Sequence, residues 1–279
     1  MPLYEKSMPR MGQGTWRMGD NPKKRQEEIA ALQEGIRLGL SLIDTAEMYG
    51  DGRSETLVGE ALRGLDRDSV YLVSKVYPHN ADKKHIYASC EASLSRLNVS
   101  ALDLYLLHWR GGVRLSETVS CMEDLKRQGK IRHWGVSNFD TADMEELWTI
   151  PGGKECAVNQ VLYHLGSRGI EYSLLPWMKA HQVKLMAYCP LAQQSLVRRE
   201  LYESGAVLQV AARYNITPAQ VLLGFLLSDP LAIPIPKSGS IAHVQENAAM
   251  LKISLSKEEL AMLREAFPAP NHKTPLDVE

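Results

Sequence analysis

The sequence predicts an α/β fold, a closed (β/α)8 TIM barrel, on three observations. Short apolar runs alternate along the chain with longer stretches of helical period. The runs fall near residues 10, 42, 72, 104, 134, 158, 185 and 233, and each is followed by a helix. A helix between successive strands supplies the long crossover that parallel pairing requires, and eight such units in about 250 residues match the size of a barrel. An open doubly wound sheet is the structural competitor. The nearest approach to its Gly-rich turn is GQGTW at 12–16, which lacks the third glycine.

The elements follow in order. A helix over 25–40 places Ile29, Leu32, Ile36 and Leu40 on one face. SLID at 41–44 is the second strand, followed by a helix over 54–62, the strand VYLVSK at 70–75 and a helix over 83–97. ALDLYLLHW at 101–109 is next, then a helix over 116–128, IRHWGVSN at 131–138 and a short helix over 141–148. CAVNQVLY at 156–163 precedes a helix over 171–181, and VKLMAYCP at 183–190 precedes a pair of helical segments within 200–228. Thr217-Pro218-Ala219-Gln220 starts a helix on physical grounds, with an N-cap, proline at the first position and glutamine at the third. LAIPIPKS at 231–238 leads to a helix over 241–250, and Ser256 with Glu259 opens a last helix before an aperiodic tail. No linker interrupts the scheme, so 1–279 is expected to be one domain.

Composition narrows the function by exclusion. A formal net charge of −1 over 279 residues gives no electrostatic case for nucleic acid or an anionic membrane as partner. The four cysteines are far apart and form no CxxC pair, which argues against a zinc site or a disulfide framework. No apolar run approaches the roughly 20 residues of a membrane span, and the first residues lack a signal-peptide core. A cytoplasmic protein is expected, as a monomer.

Four polar residues stand at the C-terminal ends of successive predicted strands or in the loop beyond: Asp44, Tyr49, Lys75 and His108. In a barrel all four converge on the rim where chemistry is done. Each alone has a plainer reading: a turn-forming aspartate, a packing tyrosine, a surface lysine. Together they make a proton-donating site. A tyrosine of pKa about 10 is a poor acid at neutral pH; a neighbouring ammonium lowers that value, and a carboxylate holds the ammonium charged. A neutral His108 can orient a carbonyl oxygen.

At this point the chain resembles the aldo-keto reductases over nearly its whole length. The resemblance rests on GQGTW at 12–16, DTAEMYG at 44–50, VSKV at 73–76, LDLYLLHW at 102–109, GVSNF at 135–139, NQVLYH at 159–164, AYCPL at 187–191 and IPKSGSIAHVQEN at 235–247. It implies an NAD(P)H-dependent carbonyl reductase on a barrel, with Tyr49 as general acid, Lys75 and Asp44 as its tuners, and His108 orienting the substrate. It further implies Ser137, Asn138 and Gln160 on the nicotinamide carboxamide and Tyr188 stacked on its ring. Gly14, Thr15 and Leu191 are implied as further cofactor contacts, with Lys237, Ser238, His243, Glu246 and Asn247 at the adenosine end. Trp16, Glu47, Met48, Tyr77 and Trp109 lie beside the catalytic residues in sequence and are candidates to line the substrate pocket, with Trp16 and Trp109 foremost because the resemblance implies aromatics there.

Two departures bear on the cofactor. His243 stands where the family often has an arginine on the 2'-phosphate, and Cys189 where serine is common. NADPH is favoured through Lys237, with NADH possible. The remaining histidines show no ligand spacing, and no metal is implied. The stretch YHLGSRGIEYSLLPW and the short tail look most like bacterial reductases of methylglyoxal and similar small aldehydes. Two readings compete: a redox-sensing cofactor-binding module on the same fold, and a barrel lyase or isomerase with Lys75 as Schiff-base amine.

Overall fold

Eight parallel strands lie in sequence order in a single sheet: β1 (Gly12–Gly14), β2 (Leu42–Asp44), β3 (Tyr71–Val76), β4 (Leu102–Leu107), β5 (Ile131–Ser137), β6 (Val158–Leu162), β7 (Lys184–Tyr188) and β8 (Ala232–Pro234). The structure, a computed structural model, describes residues 7–193 and 195–278. Gly14 pairs in parallel with Lys237, and its N–H donates to Pro236 O at 3.1 Å, so the first strand meets the chain leaving the last and the sheet rounds into a barrel. Gly12 permits this start: a Cβ there would stand 2.5 Å from Leu42 Cδ2.

The outer layer is α1 (Arg25–Arg37), α2 (Arg53–Ala61), α3 (Ile86–Leu97), α4 (Leu115–Arg127), α5 (Thr141–Thr149), α6 (Leu174–His181), α7 (Ser195–Glu203), α8 (Gly205–Tyr214), α9 (Pro218–Leu227), α10 (Ile241–Ala249) and α11 (Lys257–Ala266). The capping boxes expected at Thr217/Gln220 and Ser256/Glu259 both form, and Asp140 with Asp143 makes a third at the start of α5. The expected pair of segments in 200–228 is three helices. Ser204, extended at φ −63° and ψ 130°, separates α7 from α8, and Asn215, left-handed at φ 53°, ends α8.

Strand side chains alternate between two cores, as period two requires. Leu42, Val73, Leu106, Val158, Met186 and Ile235 belong to an inner cluster; Ile43, Leu72, Val136, Val161 and Leu185 belong to the larger cluster beneath the helices. After α11 the tail crosses the loops that follow β5 and β6. Lys273 Nζ reaches Asp140 Oδ2 at 2.8 Å, and Ser167 Oγ donates to Asp277 Oδ2 at 2.5 Å. Among the described residues no helix is long and apolar enough to cross a membrane.

Candidate active site

Parity places the site. Asp44, Lys75, His108, Gln160, Tyr188 and Lys237 each follow a residue of the inner cluster by two positions, so their side chains continue its layers at the C-terminal rim. Four of them, Asp44, Lys75, His108 and Gln160, are buried. Tyr49 arrives by a different route, on a tight loop after β2. Its N–H donates to Ala46 O at 3.0 Å and Ser54 N–H donates to its carbonyl at 3.2 Å. The loop closes through left-handed Gly50, Asp51 and Gly52, and a Cβ at Gly50 would stand 2.6 Å from Asp20 Oδ1.

The three groups expected to form a relay do meet. Lys75 Nζ, wholly buried, donates to Asp44 Oδ2 at 2.8 Å, Thr45 O at 2.9 Å and Tyr49 OH at 3.0 Å. An ammonium has three hydrogens and no acceptor. All three are therefore engaged, Tyr49 oxygen is an acceptor toward Lys75, and the phenol's own proton points elsewhere. Burial lowers the Lys75 pKa, but the Asp44 charge and the hydrogen bonds to Asp44 and Tyr49 outweigh it, and the net direction is upward. A lysine held protonated in this way is a poor Schiff-base nucleophile.

One electrostatic expectation is corrected. Burial raises the Tyr49 pKa above its ordinary value of 10, and the Lys75 charge, which pulls it down, does not win. The phenol is held protonated, with a proton to give. His108 is driven to about 2, by burial first and then by the Lys75 charge, and among the described residues no group satisfies its Nδ1. It is neutral at any physiological pH. Its ring lies 5.8 Å from that of Tyr49, edge-on.

Aromatic side chains continue from this centre. Trp16 meets Tyr49 at 5.0 Å between centroids, Trp109 meets His108 at 4.9 Å, and Tyr77 meets Trp109 at 5.8 Å. Trp16 and Trp109 are each 36% exposed, as walls of an open cleft must be, and Met48 is half-buried beside Tyr49.

The residues expected to hold a nicotinamide cofactor sit on the opposite half of the rim. Ser137 Oγ donates to Gln160 O at 2.8 Å, and Asn138, left-handed at φ 57°, accepts at Oδ1 from Tyr188 OH at 2.9 Å. Short amide and hydroxyl groups fixed beside a half-exposed aromatic ring fit a carboxamide and its heterocycle. Past β8, exposed Lys237 and buried Ser238 precede α10, whose N-cap is Ser240. A cation beside a helix N-terminus fits a phosphate. His243 and Glu246 are exposed on α10 and Asn247 is buried there. Leu191 packs against the core at the loop after β7. Gly14 lets the backbone just past β8 approach, since a Cβ would meet Ile235 O at 2.9 Å.

Thr15, expected on the cofactor, lies just past the end of β1. It is fully buried, and its hydroxyl donates to Asp44 O at 2.9 Å and accepts from Ser54 Oγ at 2.8 Å. Its N–H and carbonyl also have protein partners. The residue braces the end of β2 from behind. Sequence reasoning also missed Thr45, whose carbonyl is the third acceptor of Lys75; a main-chain acceptor leaves no signature in residue type.

A family model described as the Aldo/keto reductase family matches residues 10–267. The chain is 58% identical over 272 residues to "Methylglyoxal reductase YeaE" of Escherichia coli (strain K12), covering 98% of this chain and 95% of that protein. It is 33% identical to "Glyoxal reductase" of Bacillus subtilis (strain 168), covering 91% and 87%. An aldo-keto reductase from Klebsiella pneumoniae, solved in complex with NADPH, superposes with a TM-score of 0.95 at 54% identity, covering 98% of this chain and 95% of that one. A rim built at the strand ends, and a match spanning nearly the whole chain, lead to one conclusion: the protein belongs to the aldo/keto reductase family.

Proposed function

We propose that this protein is an NADPH-dependent reductase of small aldehydes and ketones, methylglyoxal among them, and that the activity belongs to one barrel domain. The observation that carries the reading is the saturation of Lys75 by Asp44, Thr45 and Tyr49, which leaves the phenol proton as the one mobile hydrogen of the group. The relative from Escherichia coli named as a methylglyoxal reductase and the NADPH complex of the Klebsiella protein support the substrate class and the cofactor.

Ser137, Asn138 and Gln160 would hold the carboxamide, Tyr188 the ring, and Lys237 and Ser238 with the start of α10 a phosphate of the adenosine end. When bound, the reduced nicotinamide supplies hydride to the carbonyl carbon. Neutral His108 orients the carbonyl oxygen with a ring N–H. Tyr49 gives that oxygen its proton as negative charge gathers there, and the Lys75 ammonium, 3.0 Å away, stabilises the phenolate that remains. Asp44 keeps the ammonium in place.

The direct test follows nicotinamide absorbance with methylglyoxal and a panel of small carbonyls, using NADPH and NADH in turn. Turnover with NADPH at the lower KM is expected. Tight NADPH binding with negligible turnover on every carbonyl would overturn the reading in favour of a cofactor-sensing module, and an equal or lower KM for NADH would overturn the cofactor preference.

A further inference from the structure

Glu47 lies two residues before Tyr49, beside the residues expected to line the pocket, yet its carboxylate turns away from the cleft. Oε1 accepts from Tyr77 N–H at 2.7 Å and from Asn80 Nδ2 at 3.1 Å, and Oε2 accepts from Ser89 Oγ on α3. Its own N–H reaches Lys75 O at 3.4 Å. One side chain thus fastens three separate pieces of chain: the loop that carries the acid, the turn after β3, and α3.

What the turn presents to the cleft gives the clasp its consequence. The Tyr77 ring lies edge-on to Trp109 at 5.8 Å and 88°, and Trp109 packs on His108, which packs on Tyr49. Contacts leaving Glu47 through Tyr77 therefore return to the acid by way of the substrate wall. A carboxylate with three donors holds its geometry far better than a ring at a half-open mouth can hold its own.

Building on the reading of the site as a carbonyl reductase, we propose that Glu47 is a positioning residue. It sets the Tyr77–Trp109 wall relative to Tyr49, and so governs the affinity for carbonyls large enough to touch that wall. It does not act on acid strength or on the cofactor.

The experiment compares wild type, Glu47→Ala, Tyr77→Ala and the double variant with two probes, methylglyoxal and phenylglyoxal, and measures NADPH Kd by fluorescence. Tyr77→Ala keeps the N–H that Glu47 accepts and removes only the ring. For Glu47→Ala we expect KM for phenylglyoxal to rise about tenfold, the scale of a lost hydrogen bond to a charged group. KM for methylglyoxal should change little, with kcat and NADPH Kd within about threefold, a margin below 1 kcal/mol. The double variant should be no worse than Tyr77→Ala alone. Glu47→Gln, which keeps an acceptor for Tyr77, should recover part of the phenylglyoxal affinity and remains informative if Glu47→Ala does not fold. Additive effects in the double variant, an unchanged phenylglyoxal KM, or equal losses on both probes together with weaker NADPH binding would each overturn the assignment. A wild type that reduces neither probe would instead refute the reductase reading on which the proposal rests.

Discussion

Gln160 donates its amide hydrogen to Asp44 Oδ1 at 2.8 Å across the barrel, while Lys75 takes Oδ2 of the same carboxylate. The residue expected on the cofactor side thereby holds the group that holds the ammonium. Asp44 joins the two halves of the rim through its two oxygens.

Replacing Asp44 by Asn should therefore be felt in both stability and rate. It leaves a buried ammonium without its counter-charge, which costs about 3–5 kcal/mol where a buried pair is broken. The pair's own pH dependence follows from the raised Lys75 pKa: its contribution is complete below the ordinary lysine value of 10.5 and is lost only as pH rises through the folded value. A denaturant titration near neutral pH, with kcat measured alongside, checks both; a variant as stable as wild type would contradict the buried pair's role.

Tyr49→Phe removes the proton, and with it one of the three acceptors of Lys75, while leaving the nicotinamide-side residues untouched. We expect kcat to fall by about 10²- to 10⁴-fold, with NADPH Kd unchanged. Wild-type kcat in this variant would refute the acid assignment.

His108 and His164 set the acid limit of stability. His108 sits at about 2, through burial and then the Lys75 charge, and His164 at about 4, through burial foremost, against an ordinary value of 6.5. Below 6.5 the unfolded chain takes up protons that the folded one refuses, so stability is full above that pH. It then falls by about 1.4 kcal/mol per pH unit for each ring fully protonated only in the unfolded state. The loss levels off near 4 for His164 and near 2 for His108. His108→Asn should flatten the decline of Tm between pH 6.5 and 4, and an unaltered slope would show that the imidazole is not held neutral.

His243→Arg should lower KM for NADPH several-fold and leave KM for NADH unchanged, because a permanently charged, bidentate guanidinium replaces an exposed imidazole on α10. Steady-state kinetics with both cofactors decide it; a parallel change in the two KM values would place His243 away from the distinguishing phosphate.

Most of the rim was legible because period two is a property of the sequence. Asp44, Lys75 and His108 end apolar runs, and an apolar run in an alternating chain is a strand whose end faces the rim. What stayed hidden depends on direction and depth. Residue type does not tell that Thr15 turns inward to Ser54, or that Glu47 turns from the cleft to Tyr77. Burial at Tyr49 outweighs the nearby charge, and no spacing in the chain reports burial. The break at Ser204 escaped for a related reason, since one extended residue between two helical stretches barely disturbs their periodicity.

The shared parity of the rim with the inner cluster has a consequence for how this chain can change. Deleting one residue of β3 ahead of Lys75 would not shorten the site; it would turn the ammonium out among the helices and an apolar neighbour into the mouth. Point substitutions leave that phase intact, and length changes in the connecting loops do not touch it. Variation in length is thus open to the loops other than the one that carries Tyr49, and closed to the strands, and a library of single-residue deletions should lose activity most sharply within β2, β3 and β4 and in the loop after β2.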